Sequence, residues 1–269
     1  MAYVISKVVG ISDMTLVLLG SLLPHITFVS LIILSRIFKI NKHKAYLYTA
    51  PFHTPFMMML LSATIATATT GQGTAFIYLL LGTASHFILD LLSKGGYVEL
   101  FYPFSMTSIS LKVFWPESIS GYILLIGSSI SVIFAVLNEA IYSIFRFQLR
   151  AETILLLTII FIITFLTKNL IREEYTYFKF SDNPEQWEGK QLSFHTRYVK
   201  SVEPLEIDIA DRNFEAVTNE QLKIGDQISF EAKYSKGRLY ITALHKHNTL
   251  LKTVTSLLGL TLFLLIIVF

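Results

Sequence analysis

Long apolar runs separated by short polar segments make up most of the chain. A helix needs about 20 predominantly apolar residues to cross the hydrocarbon core of a bilayer. Candidate runs of this kind lie at 8–38, 56–70, 76–92, 119–145, 154–166 with its flanks, and 250–269. Gly20 and Pro24 interrupt the first run, which is therefore either one kinked span or a span followed by an interfacial helix. The pattern predicts a polytopic α-helical membrane protein with about six spans.

A different pattern begins at residue 172. Apolar and polar residues alternate along 191–199 and 205–210, as they do in half-buried strands. A Gly225-Asp226 pair then opens an alternating stretch, which turns at Gly237 and returns as a further alternating stretch. This arrangement resembles the closing hairpin of an OB-fold barrel, and the resemblance covers residues 186–246. A generic small β-sandwich is the alternative.

These patterns divide the chain into three parts. Residues 1–171 form a helical membrane domain, residues 172–248 an inserted soluble β domain, and residues 249–269 a C-terminal transmembrane helix. The β domain is therefore tethered to the membrane at both of its ends.

Composition supports a membrane protein. Of the 269 residues, 53% are hydrophobic and only 15% are charged, which is unusual for a soluble protein of this size. The chain has no cysteine, which excludes disulfides and thiolate metal sites. Residues 172–248 carry 11 basic and 13 acidic side chains, and this mildly acidic balance argues against nucleic-acid binding.

The distribution of basic residues indicates an orientation in the cell membrane. The densest basic cluster lies at 36–44 and is expected to face the cytoplasm. Counting spans from that loop places residues 93–118 and the β domain in the cytoplasm as well.

The best candidates for chemistry lie inside an apolar run. His86 and Asp90 are one helical turn apart, so both side chains point at the same neighbour. Ionisable groups in a membrane segment are costly and usually face a partner, a cavity or a metal. His53 precedes the previous apolar run, and an antiparallel hairpin would bring it to the same membrane face, which is the cytoplasmic face in this orientation. Imidazole and carboxylate groups bind Zn, Mn or Fe, so these residues are candidate metal ligands. The alternative is that His86 and Asp90 form a hydrogen-bonded pair between helices.

Three segments resemble a known family. Gly20-Ser-Leu-Leu-Pro24-His25 resembles the Gly-x-Leu-Leu-Pro-Asp-Ile-Asp-His segment of inner-membrane proteins described as metal-dependent hydrolases and as LexA-binding. Ala50-Pro-Phe-His53-Thr resembles the end of their His-Arg-Gly-x-Thr-His-Ser segment. The stretch from Leu81 to Pro103 resembles their Gly-Tyr-Leu-Ser-His-x-x-x-Asp-x-Leu-Thr-x-x-Gly-Val-x-Leu-x-Trp-Pro segment. The resemblance covers roughly residues 15–118 and not the β domain.

The resemblance implies a set of metal ligands, with departures. The implied ligands are His25, His53, His86 and Asp90, and His25 is also the candidate catalytic base. His25 stands where the family has an aspartate. Tyr48 stands where the family has a histidine, and His43 is the offset substitute for that missing histidine. A site for a single divalent metal, with Zn favoured over Mn or Fe, and a site that has lost its metal are both open.

Two functions follow from these observations. The first is a membrane-embedded metal-dependent hydrolase acting on a lipid-related phosphoester or acyl ester. The second is a non-catalytic membrane scaffold whose OB-like domain recruits a protein partner at the membrane surface.

Other polar and aromatic residues are expected to be structural. We interpret five aromatic residues as a belt at the membrane–water interface, namely Tyr97, Phe101, Tyr102, Phe104 and Trp115. The histidines in or beside the β domain, which are His195, His245 and His247, are expected at the surface.

Overall fold

The chain folds into two units. The computed structural model describes residues 14–25, 37–39, 42–69, 72–94, 97–115, 118, 123 and 148–248. One unit includes Met1–Ile171 and the other spans Arg172–Leu257.

The first unit is helical. Among the described residues, its helices are α1 (Met14–Leu22), α2 (Lys42–Thr49), α3 (Pro55–Thr67), α4 (Gln72–Leu92) and α5 (Ala151–Glu174), with 3-10 turns at Leu23–His25 and Ala50–His53. By length and composition, α4 and α5 are able to cross a membrane.

Within the described residues, two helices, rather than about six, are long and apolar enough to be candidate spans. The run expected to span at 56–70 forms α3, which has 13 residues and a length of about 20 Å. That is shorter than the hydrocarbon core of about 30 Å, because Thr54 and Pro55 start the helix and the chain turns after Ala68. The runs at 250–269 and, apart from one residue, at 119–145 lie outside the described residues, as does most of 8–38.

Close packing of α1 against α4 depends on two glycines. A Cβ added to Gly82 would overlap the carbonyl oxygen of Val17, and one added to Gly20 would overlap that of Leu79. Thr83 donates a hydrogen bond from Oγ1 to the carbonyl of Gly20, at 3.1 Å. Small residues let helix backbones approach in this way in membranes, so α1 lies directly along one face of α4.

The two ends of the helical unit are defined by contacts with α5. At one end, the amide of Gln148 donates to the carbonyl of Ala68 at 2.8 Å, just after α3. At the other end, the hydroxyls of Tyr102 and Thr167 are 2.6 Å apart. The C-terminal ends of α4 and α5 therefore lie at the same end of the unit.

The second unit is a closed five-stranded barrel. Its strands are β1 (Gln191–Val202), β2 (Leu205–Ile209), β3 (Arg212–Val217), β4 (Gln227–Ser235) and β5 (Arg238–Lys246). They pair in the order β1-β2-β3-β5-β4 and close back on β1, with β3 and β5 parallel and the other pairs antiparallel. This topology is consistent with the predicted OB-like fold and differs from a sandwich of two sheets.

A short helix before the barrel fills its interior. Phe180 of α6 (Thr176–Asp182) has no exposed surface. Its ring lies 4.6 Å from that of Phe214 and 5.0 Å from that of Tyr234, measured between centroids. The aromatic ring of Phe180 therefore belongs to the barrel core.

The prediction that the histidines of the barrel lie at its surface was wrong for His247. Its side chain is buried, and its Nε2 is 2.7 Å from the hydroxyl of Ser229. The same hydroxyl accepts the amide N–H of Thr196 at 3.0 Å, where β1 bulges and loses its regular register with β4. His195 and His245 are half-buried.

Candidate metal centre

His53 is positioned by the turn that starts α3. It is the last residue of the 3-10 turn Ala50–His53. Thr54 then caps α3, because its hydroxyl accepts the amide N–H of Met57 at 3.3 Å and Pro55 supplies a helical φ angle at the first position. These signals fix the point at which the chain enters α3, and with it the position of the imidazole.

His86 and Asp90 project from the last two turns of α4. The His86 Nε2 and Asp90 Oδ2 atoms are 3.1 Å apart, and the His53 Nε2 atom lies 3.2 Å from the same oxygen. One ligand atom from each of the three residues lies within 4.8 Å of the other two. The predicted convergence of these three side chains is therefore present in the fold.

The orientation of His86 is fixed by the backbone of α1. The His86 Nδ1 atom lies 3.1 Å from the carbonyl oxygen of Ser21. A carbonyl only accepts, so Nδ1 carries the proton and donates it, which leaves a lone pair on Nε2 of the neutral ring. Ligating histidines in metal sites are commonly held in this way.

Asp90 Oδ2 is a buried oxygen without a conventional partner. Within the part of the chain that the structure describes, it accepts no hydrogen bond of acceptable geometry, although two imidazole nitrogens lie near it. When His86 is neutral, its Nε2 and the carboxylate oxygen are both acceptors, and two acceptors at 3.1 Å need a proton or a cation between them. The donor set of two imidazoles and one carboxylate suits a divalent metal such as Zn²⁺.

His25 lies beside this cluster. Its ring meets that of His86 edge-on, with centroids 4.9 Å apart, and its side chain is exposed. It does not belong to the group of three residues whose ligand atoms converge. The side chain of His43 lies outside the described part of the chain.

Two features of the site carry no clear sequence signal. The carbonyl of Ser21 is a backbone group, which any residue could supply. Glu99 is 1% exposed, and its carboxylate interacts electrostatically with His53. It lies in a segment whose aromatic residues indicated a membrane interface and not a metal site. The glycines at 20 and 82 are the one signal that could have indicated how closely α1 approaches His86.

Comparison with family models identifies the helical unit. The model described as YdjM inner membrane protein matches residues 2–174. The chain belongs to the YdjM family. The resemblance seen in residues 15–118 is thus confirmed, and the match includes the site and all of α5.

The YdjM match ends before the barrel, whose first strand begins at Gln191. No curated protein and no solved structure matches the chain. The family description establishes an inner membrane protein and names no reaction, ligand or partner.

Proposed function

We propose that this protein is a membrane-embedded, metal-dependent hydrolase acting on a lipid-related phosphoester or acyl ester. In this proposal His53, His86 and Asp90 hold one divalent ion, with Zn²⁺ favoured, and His25 is a fourth ligand or the base. The observation that carries it is the approach of two imidazole Nε2 atoms to one buried carboxylate oxygen, at 3.2 and 3.1 Å.

The side chains have separate roles. The Ser21 carbonyl holds His86 in the tautomer that presents Nε2 to the ion. Asp90 supplies negative charge, which partly neutralises the cation. When bound, a divalent ion lowers the pKa of a coordinated water and polarises a phosphoryl or acyl oxygen. His25 is exposed beside His86, and is therefore the group proposed to take up the proton of the attacking water.

The position of the cluster along α4 supports a lipid-related substrate. Asp90 lies two residues before the end of the helix at Leu92, and this helix is a candidate span. The end of a span lies near the boundary between hydrocarbon and headgroups, which is where the ester and phosphoester bonds of lipids are found. Such a bond would reach the cluster without the lipid leaving the bilayer.

Metal analysis of the purified full-length protein tests the ligand set. After incubation with Zn²⁺, Mn²⁺ or Fe²⁺ and removal of free metal, we expect about one ion per chain. The His86→Ala variant should lose it, whereas His195→Ala, a matched substitution in the barrel, should retain it. Wild-type protein without metal, or equal metal in both variants, would refute the ligand assignment.

A hydrolysis assay tests the reaction. Vesicles containing phospholipids or acyl esters are incubated with metal-loaded protein, and released phosphate, headgroup or fatty acid is measured. Hydrolysis should require the metal and fall about 100-fold or more in His25→Gln, the loss typical of a missing general base. If the protein holds metal but hydrolyses neither ester class, the hydrolase function fails while the metal site stands.

A further inference from the structure

The loop that follows α4 exposes an unusual number of apolar side chains. We call residues 97–114 the interfacial loop. Its exposed apolar residues are Leu100, Phe101, Phe104, Leu111 and Val113, with exposed fractions of 50, 57, 89, 59 and 61%. Isolated exposed apolar residues are ordinary, but a cluster within one loop marks an interaction surface.

The interfacial loop is ordered by its own hydrogen bonds. Val98 and Ile109 form an antiparallel bridge, with both N–H···O distances at 3.0 Å. Beyond it, the amides of Leu111 and Val113 donate to the carbonyls of Leu91 and Leu92, at 2.7 and 2.8 Å. These bonds satisfy carbonyls that the end of a helix leaves unpaired, so the exposed side chains belong to a built element at the end of a span.

One contact sets the position of the loop tip along α5. Tyr102 is 2% exposed, and its hydroxyl lies 2.6 Å from that of Thr167. Thr167 is at the end of the apolar part of α5, since Lys168 follows it. On the apolar side of this point, Phe165 and Leu166 are exposed by 51 and 70%. The exposed rings flanking Tyr102 therefore continue the apolar surface of a candidate span, at the level where its charged end begins.

Basic residues lie in and beside the interfacial loop and at the end of the apolar part of α5. Lys112 is exposed and Lys94 half-buried, and the ammonium of Lys168 lies 4.2 Å from the centroid of the Phe165 ring. A lysine stem along an apolar surface with its charge at the interface is typical of membrane boundaries. Lysines there favour anionic headgroups.

We propose that the interfacial loop is inserted into the lipid surface, with Phe101 and Phe104 among the upper acyl carbons and Lys94 and Lys112 in contact with anionic headgroups. The bilayer is thus the partner of this surface. The proposal does not depend on metal binding or hydrolysis.

Depth-dependent fluorescence quenching tests the insertion. Full-length protein in which Trp115 and Trp187 are replaced by phenylalanine receives a single tryptophan by Phe104→Trp, or in a second variant by Phe101→Trp. Each is reconstituted into vesicles of phosphatidylcholine and phosphatidylglycerol that contain lipids brominated at defined acyl carbons. The matched control carries Ser193→Trp on the exposed face of β1.

The expected result is at least twofold stronger quenching at 104 and 101 than at 193, and stronger quenching from bromines near the headgroup than from those near the chain ends. Aqueous iodide should quench position 193 and largely spare position 104. Quenching at 104 and 101 by iodide alone would show a water-exposed loop. Quenching by neither agent would show that protein covers the loop, and either result overturns the proposal.

A lipid comparison tests the basic residues. In the Phe104→Trp protein, brominated phosphatidylglycerol should quench more than brominated phosphatidylcholine at equal total bromine. Adding Lys112→Gln should reduce that preference about twofold, whereas Lys233→Gln on the exposed face of β4 should leave it unchanged. Equal quenching by the two lipids in the parent protein would contradict the headgroup contact.

Discussion

A single carboxylate oxygen lies close to both imidazoles of the candidate centre. Asp90 Oδ2 lies within 3.2 Å of two imidazole nitrogens from different elements, and both a shared proton and a cation would satisfy that arrangement. The two cases differ when Asp90 becomes asparagine. The asparagine amide donates hydrogen bonds to imidazole nitrogens as a protonated site requires, but it is a poor ligand for Zn²⁺.

We predict that Asp90→Asn abolishes stabilisation by metal. In the wild-type protein, Zn²⁺ at 100 times its dissociation constant should raise the free energy of unfolding by about 2.7 kcal/mol. The measurement is thermal unfolding of detergent-solubilised protein with and without Zn²⁺. The control is Glu152→Gln, which changes an exposed carboxylate at the start of α5. A metal-dependent shift that survives in Asp90→Asn would show that the metal binds without this carboxylate and would remove Asp90 from the ligand set.

A second carboxylate makes the stability of the barrel depend on pH. Asp226 Oδ2 lies 2.6 Å from the Lys246 ammonium and accepts the amide of Lys223 at 2.8 Å. Partial desolvation opposes its ionisation, but these two hydrogen bonds outweigh that effect and hold the pKa of Asp226 below its usual value. The pair therefore stabilises the fold fully above the unfolded pKa of about 4, and this contribution is lost as the pH falls through the lower folded pKa.

We predict that acidification from about pH 6 to about pH 3 destabilises the wild-type barrel more than the Asp226→Asn barrel. Urea unfolding followed by Trp187 fluorescence, in a Trp115→Phe background, measures the difference. Trp187 packs against the barrel core and so reports on this unit. Parallel pH profiles for the two proteins would show that Asp226 does not contribute.

At the scale of single residues, the sequence predicted identities better than orientations. The spacing of His86 and Asp90 was enough to place both on one helical face, and the hairpin argument brought His53 to them. The tautomer of His86 could not be predicted, because it depends on a carbonyl of α1. The burial of His247 was missed because alternation along the chain does not show that its imidazole meets the Ser229 hydroxyl of β4.

At the scale of elements, the crossing of α1 and α4 links packing to the site. Gly82 and His86 are one turn apart on α4, and both face α1, the first at Val17 and the second at Ser21. Any displacement of α1 by a larger residue at 82 will also move the carbonyl that orients His86.

We predict that Gly82→Ala destabilises the helical unit by about 1–3 kcal/mol, the usual range for overpacking. It should also weaken metal binding about 10- to 100-fold, as expected when an outer-shell hydrogen bond is lost. Gly73→Ala is the matched control on the same helix, since an added Cβ there meets nothing within 4 Å. Unfolding curves and metal titrations on both variants test this prediction. Equal metal affinity in the two would show that the packing of α1 against α4 does not affect metal binding.

The lengths of elements were harder to predict than their type. Apolar composition correctly indicated helix at 56–70, but it did not show that the capped start at Thr54 and the turn after Ala68 limit α3 to 13 residues. The alternation in residues 191–246 predicted strands and the closing hairpin. It gave no indication that a helix preceding the first strand supplies a core residue, because Phe180 lies outside the alternating region.

At the scale of the whole molecule, the division into two units implies that each has its own core. The aromatic cluster around Phe180 belongs to the barrel, whereas the helical unit has a separate apolar cluster that includes Leu79 and Phe87. Damage to one core should therefore leave the other unit intact.

We predict that Phe180→Ala destabilises the barrel by about 3–5 kcal/mol, as is typical when a buried phenylalanine is truncated. Metal binding by the helical unit should remain unchanged. Trp187 fluorescence in the Trp115→Phe background follows the barrel, and metal titration follows the helical unit. Lys179→Ala, at an exposed position of the same helix, is the control. Joint loss of barrel folding and metal binding would show that the two units fold as one.

Closure of the barrel also affects how readily copies of the protein associate at the membrane. A protein confined to two dimensions meets copies of itself often, and an open sheet would offer them a row of unsatisfied amides and carbonyls on which to stack. In this unit every strand has a neighbour on both sides. Self-association of the folded β unit through continuous intermolecular sheets is thereby disfavoured.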